Sequence, residues 1–131
     1  RKINAMIDDY VEEHPRAKVF DSLGQLLYLS TVSHVDAVVG NSSSGLYEVP
    51  ALKKPTVNIG NRQKGRLKSI SVIDCEPIAS DIAKAIELAF NLDCSNTQTP
   101  YGQGQASSQI VSVLKSIRDY NELLVKQFFT M

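Results

Sequence analysis

The fold class is decided by one segment, residues 35–49, with the sequence VDAVVGNSSSGLYEV. Its first part, Asp36 to Val39, is a short apolar run that predicts a buried strand leading directly into Gly40. A turn of small polar residues follows, and a helix through Val49 is predicted after it. A strand, a turn and a helix in this order are the unit from which parallel α/β sheets are built.

The residues on both sides of this segment predict more elements of the same two kinds. Strands are predicted at 17–20, 56–59 and 71–74, and helices at 25–33, 79–90 and 106–128. Helical spacing is already present at Ile3, so we expect the chain to begin inside a helix that stops before Pro15, as a fragment of a longer protein would. Strands alternating with helices imply an α/β fold with a parallel sheet flanked by helices and a long C-terminal helix.

The composition restricts the possible partners. The 131 residues are 43% hydrophobic and 21% charged, which is typical of one globular domain or a piece of a larger one. Lys plus Arg equals Asp plus Glu at 14 each, so no overall positive field favours nucleic acid or a membrane surface. No apolar run approaches the roughly 20 residues that span a bilayer, so we expect a cytoplasmic protein. Cys75 and Cys94 are expected to be reduced structural thiols.

The turn after the central strand is the first candidate binding site. Ligands of open α/β sheets bind beyond the carboxyl ends of the strands, where Gly40-Asn41-Ser42-Ser43-Ser44-Gly45 is predicted to lie. Backbone N–H groups at a helix start, together with three hydroxyls, suit a phosphate or diphosphate. The segment matches neither a Walker loop nor a dinucleotide GxGxxG motif. The alternative is an ordinary capped helix start, because Ser and Asn are favoured there.

Two further features are predicted at the same edge of the sheet. Glu48 follows the serines, and a carboxylate beside a phosphate suits the two hydroxyls of a ribose better than the phosphate itself. The loop after residues 56–59 carries Arg62, Lys64 and Arg66, and a guanidinium can bind phosphate oxygens in pairs. The alternatives are a solvated glutamate and an exposed basic loop.

The sequence offers no catalytic set. No paired acid and base, no Ser/His/Asp arrangement and no metal-ligand cluster is evident. His14 and His34 are each predicted to lie at the end of a helix, where an imidazole interacts with the terminal carbonyl groups. We therefore assign no catalytic residue.

Four motifs, in this order along the chain, resemble one family, the hydrolysing UDP-N-acetylglucosamine 2-epimerases of the sialic-acid and nonulosonate branch. They are Ser22-Leu23-Gly24 with Tyr28, Gly40-Asn41-Ser42-Ser43-Ser44-Gly45 with Glu48 and Pro50, Pro55-Thr56-Val57-Asn58-Ile59-Gly60 with Arg62-Gln63-Lys64-Gly65-Arg66, and Pro100-Tyr101-Gly102-Gln103-Gly104. The resemblance covers nearly the whole chain. It implies a GT-B-type enzyme with two Rossmann-like lobes, of which this chain is the later part of the C-terminal lobe.

The resemblance also implies a division of the chain and a set of roles. Residues 1–91 would form a partial Rossmann-like nucleotide-binding lobe, 92–105 a linker loop, and 106–131 a helix packing back toward the absent N-terminal lobe. Binding of UDP and UDP-N-acetylglucosamine would fall to Ser42, Ser43, Ser44, Glu48 and Arg62. Enzymes of the family eliminate UDP from the sugar nucleotide to leave a 2-acetamidoglucal and then add water with inversion at C2. The resemblance implies that this reaction requires no NAD and no metal.

Two consequences follow for the chain by itself. The catalytic acidic residues of the family belong mainly to the other lobe, so the fragment alone is expected to be inactive. A strand order of 3-2-1-4-5-6 would place two missing strands between 17–20 and 36–39, and the unpaired edges favour self-association, so we expect a homo-oligomer. The alternative function is the nucleotide-sugar lobe of a GT-B glycosyltransferase, or a non-catalytic binding module.

Overall fold

The computed structural model describes residues 2–102 and 104–124, and within them three short strands lie between helices along the chain. The sheet consists of β1 (Val38–Gly40), β2 (Thr56–Ile59) and β3 (Val72–Cys75). The helices are α1 (Lys2–Glu13), α2 (Gly24–His34), α3 (Ser44–Tyr47), α4 (Ala79–Phe90) and α5 (Ala106–Ser116). Two 3-10 helices, Pro50–Leu52 and Asn121–Leu124, complete the described elements.

The three strands form one parallel sheet in the order β1-β2-β3. The register pairs Asn58 of β2 with Gly40 on one side and Asp74 on the other. The predicted α/β fold with a parallel sheet flanked by helices is thus confirmed. All three carboxyl ends lie at one edge of the sheet, which we call the carboxyl edge.

One face of the sheet packs against α4. The buried residues Val57, Ala85 and Ala89 form the core of this contact, and Ile59 and Ile73 pack around them. Ala85 and Ala89 are one helical turn apart on the same side of α4, and their small side chains let the helix approach the strands closely. This layer fixes one side of β2 and β3 and leaves their carboxyl ends accessible.

The other face of the sheet is covered by α3. Leu46 and Val49 are fully buried there, and the Thr56 hydroxyl donates to the carbonyl oxygen of Gly45 at 2.9 Å. A Cβ atom on residue 45 would lie 2.6 Å from Cγ2 of Thr56, so only glycine fits. The close approach of α3 to β2 positions the loop that precedes α3.

The prediction of a strand at 17–20 is wrong. The segment is not part of the sheet, and its Val19 and Phe20 side chains are 46% and 63% exposed. A strand needs a neighbour for its backbone N–H and C=O groups, and within the ranges that the structure covers β1 pairs only with β2.

The prediction of one long helix at 106–128 is also wrong, because α5 ends at Ser116. Ile117 is extended, and the Asp119 carboxylate accepts a bond from the N–H of Asn121 at 2.8 Å. Such a local side-chain bond offers the backbone an alternative to helix. The end of the prediction, 125–128, lies outside the described residues.

No helix in the described ranges is long and apolar enough to cross a membrane.

Candidate functional site

Two polar loops meet at the carboxyl edge. The serine loop, Asn41 to Ser44, follows β1, and the basic loop, Gly60 to Arg66, follows β2. Because β1 and β2 are parallel neighbours, the two loops leave the sheet side by side. The sequence predicted this convergence, and the hydrogen bonds between the loops confirm it.

The serine loop keeps part of its hydrogen-bonding capacity free. The Ser42 hydroxyl accepts from the N–H of Ser44 at 3.3 Å, and the Ser42 carbonyl accepts from the N–H of Gly45 at 3.2 Å. Over residues 2–102 and 104–124, no acceptor bonds to the backbone N–H groups of Ser42 or Ser43. An anion placed at this loop could therefore accept from two adjacent N–H groups as well as from the Ser43 hydroxyl.

The basic loop contacts the serine loop through two neighbouring side chains. Nη1 of Arg62 lies 3.3 Å from the backbone oxygen of Asn41 and 3.5 Å from its side-chain oxygen. Nε2 of Gln63 donates to the same backbone oxygen at 2.7 Å. Arg62 is exposed and stands beside the serine loop, so its guanidinium can leave the Asn41 carbonyl, which points away from the Ser42 N–H, and turn toward an anion bound there.

Ser44 has a different position from the other two serines. Its hydroxyl is 2.5 Å from the phenolic oxygen of Tyr28, and this pair is partly buried. The bond joins α3 to α2. Ser44 thus links two elements, while Ser42 and Ser43 lie at the open end of the loop.

Glu48 lines an open cleft of about 620 Å³ beside the serine loop. It was predicted to lie inside a helix, but α3 ends at Tyr47, and Glu48 is the capping residue that follows. Its N–H still donates to the carbonyl of Ser44 at 2.9 Å, which places it one turn beyond that serine. Glu48 is half-buried, and its carboxylate remains available to a ligand in the cleft.

The other wall of this cleft is a candidate binding surface that we did not predict from the sequence. Its lining comes from the segment before α2 and the first turns of α2: Phe20, Ser22, Leu23, Gly24, Gln25 and Tyr28. The signal was present, because Ser22-Leu23-Gly24 and Tyr28 belong to the family motif and Gly24 has a φ of +64°, typical of a turn into a helix. Only the structure places them opposite Glu48.

Arg66, at the end of the basic loop, makes a different contact. The Arg66 guanidinium lies 5.6 Å from the ring centre of Tyr47, a cation–π contact. The ring centres of Tyr47 and Tyr101 are 4.1 Å apart, and the ring planes are tilted by 54°. The Tyr101 hydroxyl donates to the carbonyl of Leu67 at 2.9 Å. These contacts hold Tyr101 against Tyr47 of α3 and against Leu67, which follows the basic loop.

Beside the site, Asp74 of β3 is held by two donors. Burial raises the pKa of its carboxyl group, but hydrogen bonds from Lys68 and Asn58 and the charge of Lys68 outweigh this and hold the pKa below its usual range. Nζ of Lys68 is 2.6 Å from Oδ2 of Asp74, and Nδ2 of Asn58 is 2.7 Å from Oδ1. This ion pair anchors the segment that follows the basic loop to the sheet.

The two histidines lie at helix ends, as predicted. Nδ1 of His14 is 2.8 Å from the carbonyl oxygen of Tyr10, and Nδ1 of His34 is 2.7 Å from that of Ser30. Neither histidine lines the cleft beside Glu48. Among the residues described, no three His, Cys, Asp or Glu side chains gather into a metal-binding group.

Known proteins match this chain closely in sequence. It is 44% identical over 86 residues to the GDP/UDP-N,N'-diacetylbacillosamine 2-epimerase (hydrolyzing) of Campylobacter jejuni, covering 65% of this chain and 22% of that protein. It is 36% identical over 104 residues to the polysialic acid biosynthesis protein P7 of Escherichia coli, covering 72% and 27%. It is 29% identical over 124 residues to the UDP-N,N'-diacetylbacillosamine 2-epimerase (hydrolyzing) of Legionella pneumophila, covering 95% and 33%.

These alignments span between about a fifth and a third of the length of each relative. A family model described as UDP-N-acetylglucosamine 2-epimerase matches residues 1–115, which include both loops of the carboxyl edge, Glu48 and the start of α2. The chain therefore belongs to the UDP-N-acetylglucosamine 2-epimerase family.

Proposed function

We propose that this chain is the UDP-binding part of a longer hydrolysing 2-epimerase. One observation carries the proposal: the free N–H groups of Ser42 and Ser43 lie in a loop that the exposed guanidinium of Arg62 contacts directly. Backbone donors beside a delocalised cation are the arrangement that recognises phosphate oxygens. The binding energy here would come from individual donors and one charge, because α3 has only four residues and so contributes little helix dipole.

The proposed roles follow from the positions of the side chains. Ser42 and Ser43 bind the diphosphate oxygens, and Arg62 neutralises their charge. Glu48, which lies in the neighbouring cleft rather than among the cations, accepts hydrogen bonds from the ribose hydroxyls. Ser44 was predicted with them to bind UDP, and we propose that it contributes to the site through its bond to Tyr28.

The proposed reaction converts UDP-N-acetylglucosamine and water to N-acetylmannosamine and UDP. Loss of the C2 proton and departure of UDP from C1 leave 2-acetamidoglucal, to which water adds with inversion at C2. The two relatives named as hydrolysing 2-epimerases support this class of reaction, and both are named for diacetylbacillosamine substrates. The groups that move the protons are proposed to lie outside this chain, in the remainder of the full-length protein.

Further proposals concern the whole protein. Residues 92–105 would connect the lobe to a C-terminal segment, 106–131, that packs toward an N-terminal lobe. The exposed apolar side chains of α5, among them Ile110, Val113 and Leu114, would supply that contact. We further propose a cytoplasmic homo-oligomer.

The test is product analysis with the full-length protein. It is incubated with UDP-N-acetylglucosamine in ¹⁸O-labelled water, and both the nucleotide and the sugar are identified. We expect UDP without the label and N-acetylmannosamine carrying it, because the added oxygen comes from solvent. Retention of the intact sugar nucleotide, or transfer of the sugar to an added acceptor in place of hydrolysis, would instead favour a binding module or a glycosyltransferase.

A further inference from the structure

Gln63 differs from its neighbours in the basic loop because its side chain is buried. Its neighbours Arg62 and Lys64 are exposed, whereas Gln63 retains only 2% of its accessible surface. Burying an amide side chain costs free energy unless its polar atoms are paired. Its Nε2 is paired with the backbone oxygen of Asn41, while its Oε1 is buried without a partner. The burial of Gln63 is therefore not explained by contact of the loop with solvent.

The bond from Gln63 acts on one peptide group of the serine loop. The carbonyl of Asn41 and the N–H of Ser42 belong to the same planar peptide, and the chain has no cis peptide bonds in the ranges described. In a trans peptide the C=O and the N–H point in opposite directions. Fixing the Asn41 carbonyl toward Gln63 therefore fixes the direction of the Ser42 N–H.

Arg62 and Gln63 share this carbonyl but differ in how firmly they hold it. The contact from Arg62 is 3.3 Å long and exposed, while the contact from Gln63 is 2.7 Å long and part-buried. A carbonyl oxygen has two lone pairs and accepts both donors at once. If Arg62 moves to a bound phosphate, Gln63 remains to hold the peptide.

We propose that Gln63 is a positioning residue that keeps the Ser42 N–H aimed at the diphosphate while Arg62 exchanges its contact with Asn41 for the ligand. The inference rests on the proposed function, in which the serine loop binds the diphosphate. It assigns to Gln63 no contact with the ligand. Its effect should therefore appear only for ligands that carry phosphate.

The experiment compares two ligands by calorimetry on the full-length protein. Gln63→Met removes the donor and preserves the length of the side chain, and Gln63→Asn keeps an amide in the buried position but withdraws it from Asn41. For both variants we expect the Kd of UDP to rise about tenfold, as for a lost buried hydrogen bond, while the Kd of uridine stays unchanged. Gln98→Met, at an exposed position, serves as the matched control with both affinities unchanged.

The outcomes separate this inference from the proposed function. If the unaltered protein binds no UDP, the proposed function fails, and this inference fails with it. If it binds UDP but the Gln63 variants bind UDP equally well, only the positioning role is overturned. Equal weakening of UDP and uridine would also overturn it, because general loss of structure does not distinguish the phosphate from the nucleoside.

Discussion

At the scale of single residues, the site separates groups that suit phosphate from a group that suits sugar hydroxyls. Arg62 and the free N–H groups lie at the serine loop, and the Glu48 carboxylate lies in the adjoining cleft. This separation matters because a carboxylate next to a diphosphate would repel it. The residue types were evident from the sequence, but their division between two places was not, because it depends on where α3 ends.

Replacing Glu48 by Gln should affect one ligand and spare another. The amide has one acceptor oxygen in place of two and no charge, so its bonds to a ribose diol are weaker. We expect the Kd of UDP to rise by about tenfold, while the Kd of inorganic diphosphate stays the same. Calorimetry on the full-length protein measures both, and an equal loss for the two ligands would remove Glu48 from the ribose position.

The Asp74 carboxyl group should make stability depend on pH at the acidic end. Its pKa in the folded protein lies below that of the unfolded chain, so its stabilising contribution is fully present above an unfolded pKa of about 3.9 and is lost as the pH falls through the folded value. Denaturant unfolding of the full-length protein between pH 6 and pH 2 gives the slope. Asp74→Asn should be less stable at pH 6 and show a smaller acid-induced loss, and an unchanged slope would contradict the assignment.

At the scale of elements, the sequence predicted those whose local pattern is sufficient. The strand at 56–59 and the helix at 79–90 were predicted with their observed bounds, because an apolar run and a helical repeat each identify them. The strand at 17–20 was wrong because a strand also needs a neighbour, which no local pattern supplies. The serine loop was located correctly, whereas the cleft wall at the start of α2 depends on packing between elements distant in sequence.

The contact between α3 and β2 offers a test of this packing. Gly45→Ala places a methyl group 2.6 Å from Cγ2 of Thr56, and we expect a loss of about 1–3 kcal/mol in the free energy of unfolding. Thr56→Ser removes Cγ2 and keeps the hydroxyl that bonds to the Gly45 carbonyl. The double variant should therefore recover most of the loss seen in denaturant unfolding. Simple additivity of the two single effects would argue against a steric cause.

At the scale of the whole molecule, the described surface carries apolar side chains that nothing in the described ranges covers. Ile3 and Met6 of α1 are 72% and 62% exposed, and α5 exposes a similar row. Exposed apolar faces of this kind mark surfaces that bind other protein segments. These exposed faces are consistent with the finding that the chain spans only a fifth to a third of the length of its relatives.

The 131-residue chain produced alone should release no UDP from UDP-N-acetylglucosamine and should associate with itself. Each positioned acid or base typically contributes about 10²–10⁴-fold to such proton transfers, and the groups that supply them are proposed to lie outside this chain. A coupled assay for UDP and the mass in solution test the two parts. Turnover equal to that of the full-length protein, from a monomer that unfolds cooperatively, would refute both.

The most direct measurement is the affinity of the full-length protein for UDP with and without the two serine hydroxyls. Calorimetry compares the unaltered protein with a Ser42→Ala, Ser43→Ala double variant, and Ser80→Ala at an exposed position controls for loss of a hydroxyl elsewhere. Two lost hydrogen bonds to a charged ligand should raise the Kd of UDP by at least about tenfold. The control should leave it unchanged. An unchanged affinity in the double variant would remove the serine loop from the nucleotide site and contradict the assignment of the carboxyl edge as the place where the diphosphate binds.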